Sequence, residues 1–510
     1  MTTITAGDLA AIVPILLVLG AAVVGVLVDA FAPAARRRAV HLVLSVAALG
    51  GALAWTLVAI GSAPTVGFNG AVVVDGPAIF AQGTIALVTL LTVALYAERR
   101  LDPAGDPFTP AGSAVPGSEL ERVLTLQRVG QSEVYPLTLF AAGGMMTFVV
   151  AGDLLTAFVA LEVLSLPLYL LGSLSRRKRL LSQEAGMKYF LLGAFASAFF
   201  LYGAALVYGA TGSLNYAAID TAVTGRVGVD SLLLVGMGML AVGLLFKISA
   251  VPFHFWTPDV YQGAPTAVTG FMAAATKAAA FVVLLRLFYV ALGGLSEDWV
   301  PLLAIVAAVT MLVGSVLALT QTDVKRMLAY SSIAHAGFLL VGMVSADPDG
   351  TGAVLFYLLA YGVATVGAFA VVTLVRDAGG EATHLSQWAG LGRRSPVLGG
   401  VFALFLLSFA GIPLTSGFIA KLAVFAAAFD AGQIVLVVVG LLSSAIAAFF
   451  YVRVIVLMFF SDPAPGGPTV GVPGPGTTAV ITLAAALTVL LGVLPAPVFE
   501  LAELAAEFVR

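Results

Sequence analysis

The chain has 510 residues, 60% of them hydrophobic and only 10% charged, with a mean hydropathy of +1.07. A soluble domain carries about 25% charged residues, so a water-soluble globule is excluded and an all-α polytopic membrane protein is indicated. The net charge of −3 is too small to suggest nucleic acid as a partner and there is no basic tail, while the absence of Cys excludes disulfides, thiol nucleophiles and cysteine-held iron–sulfur clusters within the chain.

Apolar windows of roughly 20 residues mark about fourteen spans. They fall at 9–28, 40–60, 78–96, 135–151, 154–173, 186–209, 231–258, 268–292, 300–319, 327–344, 353–375, 397–429, 433–460 and 477–494. The N-terminal MTTITAGDLA has no positive region, so Leu9 to Val28 is expected as a first span rather than a cleaved signal. Basic residues collect in alternate loops: Arg36 to Arg38; Arg99, Arg100, Arg122 and Arg128; Arg176 to Arg179; Lys325 and Arg326; Arg376, Arg393 and Arg394. The opposite loops hold only Arg226 and Arg510. The positive-inside rule then puts both termini outside, which requires an even number of spans.

The chain divides into N-terminal helices at 1–97, a Pro/Gly-rich inside loop at 98–134, five-helix repeats at 135–292 and 300–460, and a last helix with an amphipathic tail at 477–510. The stretch 98–132 reads by composition as a solvated linker, and Asp462 to Gly476 reads likewise. Spans 4–8 and 9–13 are each five helices, so a duplication would invert the second copy. Each copy carries a broken helix, numbers 7 and 12 in the chain. In the first, Lys247 precedes Pro252, Pro258 and Pro265. In the second, Gly411 to Gly417 contains Pro413 and is followed by Lys421. Proline lacks an N–H and clashes with the preceding turn, so these runs interrupt a helix. At membrane depth an interruption is tolerated only where protein or a water-filled cavity covers it.

Ionisable residues inside spans are costly, about 2.5–3.5 kcal/mol each on insertion scales. Glu162, Lys188, Lys247, Lys277 and Lys421 are therefore candidate members of a proton relay. Burial disfavours the charged form of a lysine and a nearby carboxylate restores it, so a row of such groups can pass a proton. Blander readings stand beside this one. Glu162 in a static ion pair would glue two helices, and Lys188, near an inside end, would snorkel to the interface. His335, in AYSSIAHAG, joins the row at mid-depth or is a hydrogen-bonded packing residue. Arg286 and Arg453 are expected to be structural, because arginine does not deprotonate. The sequence has no Rossmann or Walker loop and no metal-ligand cluster, so cofactor-binding and metal residues are expected to be none.

The runs FKISAVPFHFWTPDVYQGAPTAVTGFMA, LEVLSLPLYLLGSL, QEAGMKYFLLGAFASAFFLYG, DVKRMLAYSSIAHAGF and GIPLTSGFIAKL closely resemble the antiporter-like membrane subunits of bacterial proton-pumping NADH–quinone oxidoreductase (complex I). Within that family they are most similar to its subunit N branch. WTPDVYQGAP carries most of the distinction, and subunits L and M tend to show a WLPDAMEGPTP-like run with His where this chain has Lys277. The resemblance implies that Glu162 and Lys247 are a charged pair, Lys188 and Lys277 bridging lysines, and Lys421 the exit-side lysine of broken helix 12. It implies a proton-translocating subunit in the inner membrane whose chain does no redox chemistry. NAD, FMN, iron–sulfur clusters and quinone would be bound by partners, and subunit M and the small membrane subunits would be its neighbours. A cation/proton antiporter subunit is the alternative. The stretch at 98–132 is longer than the family implies.

Overall fold

The structure is a computed structural model that describes residues 6–102, 105–126, 130–225, 230–377, 379–463 and 467–509. Arg128, Arg226 and Arg510, used above for orientation, lie outside the described residues. The apolar helices run in chain order as α1 (Val13–Phe31), α2 (Ala34–Ala59), α3 (Gly76–Tyr96), α4 (Val134–Val149), α5 (Leu154–Gly172), α6 (Arg179–Thr211), α7a (Ser231–Ile248) with α7b (Trp256–Gly263), and α8 (Thr266–Ala291). The second half follows as α9 (Ser296–Leu319), α10 (Val324–Val344), α11 (Pro348–Leu374), α12a (Pro396–Ala410) with α12b (Ser416–Asp430), α13 (Ile434–Phe460) and α14 (Pro475–Val493). Counting each broken helix once, the order matches the sequence reading.

Polar caps set the helix starts where the chain leaves the apolar layer. The side chains of Asp75, Asp153, Asp230, Asp323 and Asp347 accept backbone N–H groups at the starts of α3, α5, α7a, α10 and α11. Each satisfies a donor that the helix leaves open, a contribution of about 1 kcal/mol.

The halves repeat one packing pattern. α4 packs on α5 as α9 packs on α10, and α4 on α8 as α9 on α13. α6 packs on helix 7 as α11 packs on helix 12. Burial separates the centre from the rim: the apolar windows of α8, α10 and α11 are 100%, 94% and 94% buried, against 33%, 28% and 33% for α1, α2 and α13. A helix that is apolar all round and wholly covered is an interior helix, whereas a half-covered one faces lipid. The central three carry Lys277 and His335.

Of the three prolines expected to break helix 7, only Pro252 lies in the unwound stretch between Ile248 and Trp256. Pro258 sits in the first turn of α7b and Pro265 caps α8, positions where a missing N–H leaves no bond unmade. Pro413 lies in the unwound stretch of helix 12, as expected.

The stretch at 98–132 is docked rather than a free linker. Phe108 is buried against Tyr96, Thr109 N–H bonds Leu174 O at 2.8 Å, and Arg176 N–H bonds Pro107 O at 2.8 Å. Asp102 is held by Arg176, by Arg177 at 3.2 Å and by Arg376 at 3.1 Å. The 462–476 stretch also contributes order: Thr469–Val470 pairs with Val375–Asp377, whose other edge pairs with Gly380–Glu381. Past α14, the helix Ala496–Leu504 leads to a tail whose Val509 N–H bonds Asp75 at 3.2 Å.

Candidate functional site: a buried lysine row

Lys247 is the penultimate residue of α7a and is 3% exposed. Its ammonium donates to Ser165 Oγ on α5 at 2.7 Å and lies 5.5 Å from the Tyr189 ring centre. Ser165 donates in turn to Leu161 O. Glu162, one residue from Leu161, acts on Lys247 through its charge, but Ser165 holds the direct contact. The ammonium of the implied charged pair is thus held by a hydroxyl, with Glu162 acting on it through its charge. Glu162 Oε1 is buried with no hydrogen-bond partner, leaving an acceptor to be met by water.

The break beside Lys247 is well satisfied. Ser249 adopts the left-handed conformation and ends α7a. Trp256 Nε1 donates to Phe246 O at 3.0 Å, Val251 N–H donates to Thr310 Oγ1 of α9 at 3.0 Å, and Thr257 Oγ1 donates to Ser249 Oγ at 2.6 Å. Neighbouring side chains therefore answer the backbone groups that an unwound segment frees. Trp256 stacks on Tyr189 at 4.6 Å, which fixes the α6 face of the site.

Lys277 sits in the middle of α8, directly after a π-helical turn at Met272–Thr276. It is 2% exposed and donates to Ser332 Oγ of α10 at 2.6 Å. Single π-turns within α-helices recur at functional sites, because they re-aim one side chain.

His335 lies three residues beyond Ser332 on the same helix. Its Nδ1 is 2.6 Å from Tyr357 Oη and its Nε2 is 3.5 Å from Tyr451 Oη. Tyr451 is bonded to Ser331. Both Lys277 and Lys421 act on the His335 imidazole through their charges. Lys421, on α12b, donates to Ala410 O at 3.0 Å and to Ser444 Oγ at 2.8 Å, with Phe338 under it at 4.5 Å. Ala410 is the last residue of α12a, so this lysine answers a carbonyl freed by the helix break.

The other sequence candidates are placed differently. Lys188 is half-exposed and bridges Glu184 at 2.7 Å and Asp259 at 2.6 Å, and Asp259 also binds Arg326 at 2.6 Å. It belongs to an ion cluster at the basic end of α6, α7b and α10, outside the buried row. Arg286 is fully buried on Asp75 at 2.5 Å, and Arg453 bonds Leu319 O at 2.8 Å, so both arginines have structural partners. Sequence reading missed Lys325, counted above as a loop charge. It is 3% exposed and donates to Ala264 O at 2.7 Å. Its signal was spacing: Lys325 and Ser332 are two helical turns apart and share a face.

Fold and site together define an antiporter-like membrane subunit, with paired broken helices and a lysine at each break. The sequence profile described as NADH:quinone oxidoreductase/Mrp antiporter, TM matches residues 151–447. The chain is 57% identical to NADH-quinone oxidoreductase subunit N 3 of Streptomyces griseus, over 98% of this chain and 94% of that one. It is also 57% identical to NADH-quinone oxidoreductase subunit N of Rhodococcus opacus, over 98% and 95%. Among solved structures, a chain of respiratory complex I from Thermus thermophilus with bound aureothin matches with a TM-score of 0.77 at 36% identity, covering 96% of this chain and 99% of that one. A chain of the Mrp complex from a Dietzia species shares the fold with a TM-score of 0.80 at 24% identity, covering 98% and 97%. The chain belongs to the subunit N family of NADH-quinone oxidoreductase.

Proposed function

We propose that this chain, a proton-translocating membrane subunit of NADH-quinone oxidoreductase, moves protons along Lys247, Lys277, His335 and Lys421. The carrying observation is the cluster of hydroxyls and imidazole at the centre: Lys277 on Ser332 and, from the adjacent Ser331, a run through Tyr451 and His335 to Tyr357. Hydroxyls and imidazoles both give and take protons, so a lysine beside them can change charge state without its proton crossing oil. Glu162 tunes Lys247 through its charge, and Lys188 draws protons or counter-charge to the α6 face. The repeats at 135–292 and 300–460 act as two half-channels that meet at His335. The basic end faces the cytoplasm, both termini face outside, and Lys421 releases protons there. NAD, FMN, iron–sulfur clusters and quinone belong to partner subunits, and changes of charge in neighbouring membrane subunits, subunit M among them, drive the row.

The test is Lys247→Ala in the whole complex, reconstituted in proteoliposomes. Pumping should fall about 100-fold or more, the low end of what loss of a proton-transfer group costs, with the complex still assembled. Full proton translocation by that variant contradicts the reading.

A further inference from the structure

Resting on the reading of Lys277 as a proton carrier, we propose that Glu381 loads protons into the chain at the basic face, with Thr266 and Lys325 forming the mouth of the path to Lys277.

Glu381 ends the hairpin Val375–Asp377/Gly380–Glu381, where it is paired in register with Arg376. Its side chain is half-buried and accepts the hydroxyl of Thr266, the first residue of α8. It therefore sits at the N-terminal end of the helix that carries Lys277. Two small cavities meet at this carboxylate. One of about 50 Å³ is lined by Lys178, Thr266, Lys325 and Arg376, and one of about 40 Å³ by Glu98, Asp106 and Thr266; Glu381 lines both. A water needs roughly 10–15 Å³ on this measure, so each cavity holds a few.

The neighbouring acids are committed elsewhere. Asp102 is locked by three guanidinium groups, a structural clamp between the 98–132 stretch, the α5–α6 loop and the hairpin. Asp106 is tied to Phe108 N–H at 3.1 Å, and burial pushes its carboxyl above the usual carboxylate range. Glu98 accepts Gly474 N–H at 2.5 Å and Thr477 Oγ1 at 2.8 Å. Among the described residues Glu381 forms no ion pair within 4 Å. A carboxylate held by the Thr266 hydroxyl at the edge of two water-sized cavities is the group free to cycle.

The inward route follows α10. Lys325 is buried against Ala264 O, and the charges of Glu381, Asp323 and Lys178 act on it. Two turns further, about 10.5 Å at 1.5 Å per residue, stands Ser332, which binds Lys277. On the neighbouring α7b, the Tyr261 carbonyl accepts Thr269 Oγ1 of α8 at 3.1 Å. In the step itself, protonated Glu381 gives its proton to cavity water, and the neutral amine of Lys277 takes one and becomes ammonium. The Glu381 carboxylate is then reprotonated from water on the basic side. Lys325 Nζ stands at the mouth, held by the Ala264 carbonyl at 2.7 Å.

The groups that line the cavity with Glu381 are Thr266 from α8, Lys325 from α10, Arg177 and Lys178 from the α5–α6 loop, and Arg376 from its own hairpin. Asp102, Asp106 and Glu98 face it from the 98–132 side. Of these groups the test variants change only Glu381 and the uncharged Thr266.

The experiment uses the whole complex in proteoliposomes with Glu381→Gln, Glu381→Asp, Thr266→Val and Lys277→Arg. Proton pumping is read against the pH of the medium facing the basic end. Glu381→Gln should pump near the parental rate at acid pH and lose at least about tenfold at alkaline pH, where proton supply limits. Glu381→Asp should follow the parent, and Thr266→Val should lose several-fold with the same alkaline trend. If Glu381→Gln pumps normally at every pH while Lys277→Arg does not, the loading role is wrong and the lysine row stands. An equal loss at all pH values in both Glu381 variants, with less assembled complex, makes the residue structural and also overturns the proposal. Normal pumping by Lys277→Arg removes the reading on which it rests.

Discussion

Lys421 Nζ lies 3.0 Å from the carbonyl oxygen of Ala410, so the cation of α12b closes the end of the helix half that precedes it. One side chain both charges the site and satisfies the break. Lys247, at the end of α7a, occupies the same kind of position in the first half, near the negative end of a helix dipole.

Lys421→Ala should therefore fail in two ways. Pumping falls, and the buried Ala410 carbonyl loses a donor at a cost of about 1–3 kcal/mol. Lys421→Arg keeps the donor and the charge but does not deprotonate. It should restore thermal stability of the purified complex without restoring pumping. Recovery of both by Arg would show that only the charge matters.

Gly411 supports the same contact. Its φ is +82°, and a Cβ there would stand 2.9 Å from Lys421 Cδ. Gly411→Ala should cost about 1–2 kcal/mol from the left-handed backbone and displace Lys421. Pumping should fall further than stability alone explains, as seen by comparing proton flux per assembled complex.

Arg286 and Asp75 form a buried pair at 2.5 Å, with Asp75 also capping α3 and holding the tail at Val509. Removing either partner strands a buried charge, so Arg286→Ala or Asp75→Ala should each destabilise by about 3–5 kcal/mol. The double variant Arg286→Met/Asp75→Leu should lose less than the sum of the two. Thermal melts of the detergent-solubilised complex give the comparison, and strict additivity would refute the pairing.

Lys188 is half-exposed in an ion cluster with Glu184, Asp259 and Arg326. Exposed pairs contribute about 0–1 kcal/mol, so Lys188→Ala should leave stability nearly unchanged. It should slow pumping by less than Lys247→Ala in the same vesicles. A loss as large as that of Lys247→Ala would place Lys188 in the row itself.

Much of this was legible in the sequence because the membrane enforces it. Twenty-residue apolar windows gave the helix order, and the prolines and Gly411 marked the breaks. Pro258 and Pro265 were misread as breakers because composition does not distinguish a first-turn proline from one inside a helix. The 98–132 stretch looked like a linker since its anchors, Phe108 and Asp102, are long-range partners that no local pattern announces. Lys247, Lys277 and Lys421 were visible as charges in oil, while their hydroxyl partners Ser165, Ser332 and Ser444 were not, because a serine in a span is ordinary. Lys325 was hidden by its place at a helix start, where a lysine normally faces water.

The most direct measurement is proton yield per NADH oxidised by the reconstituted Lys277→Arg complex. Arginine retains the positive charge but holds its proton. A complex that assembles normally yet turns over slowly and delivers few protons is the result expected. Parental turnover with a full proton yield would mean that no proton passes through this position.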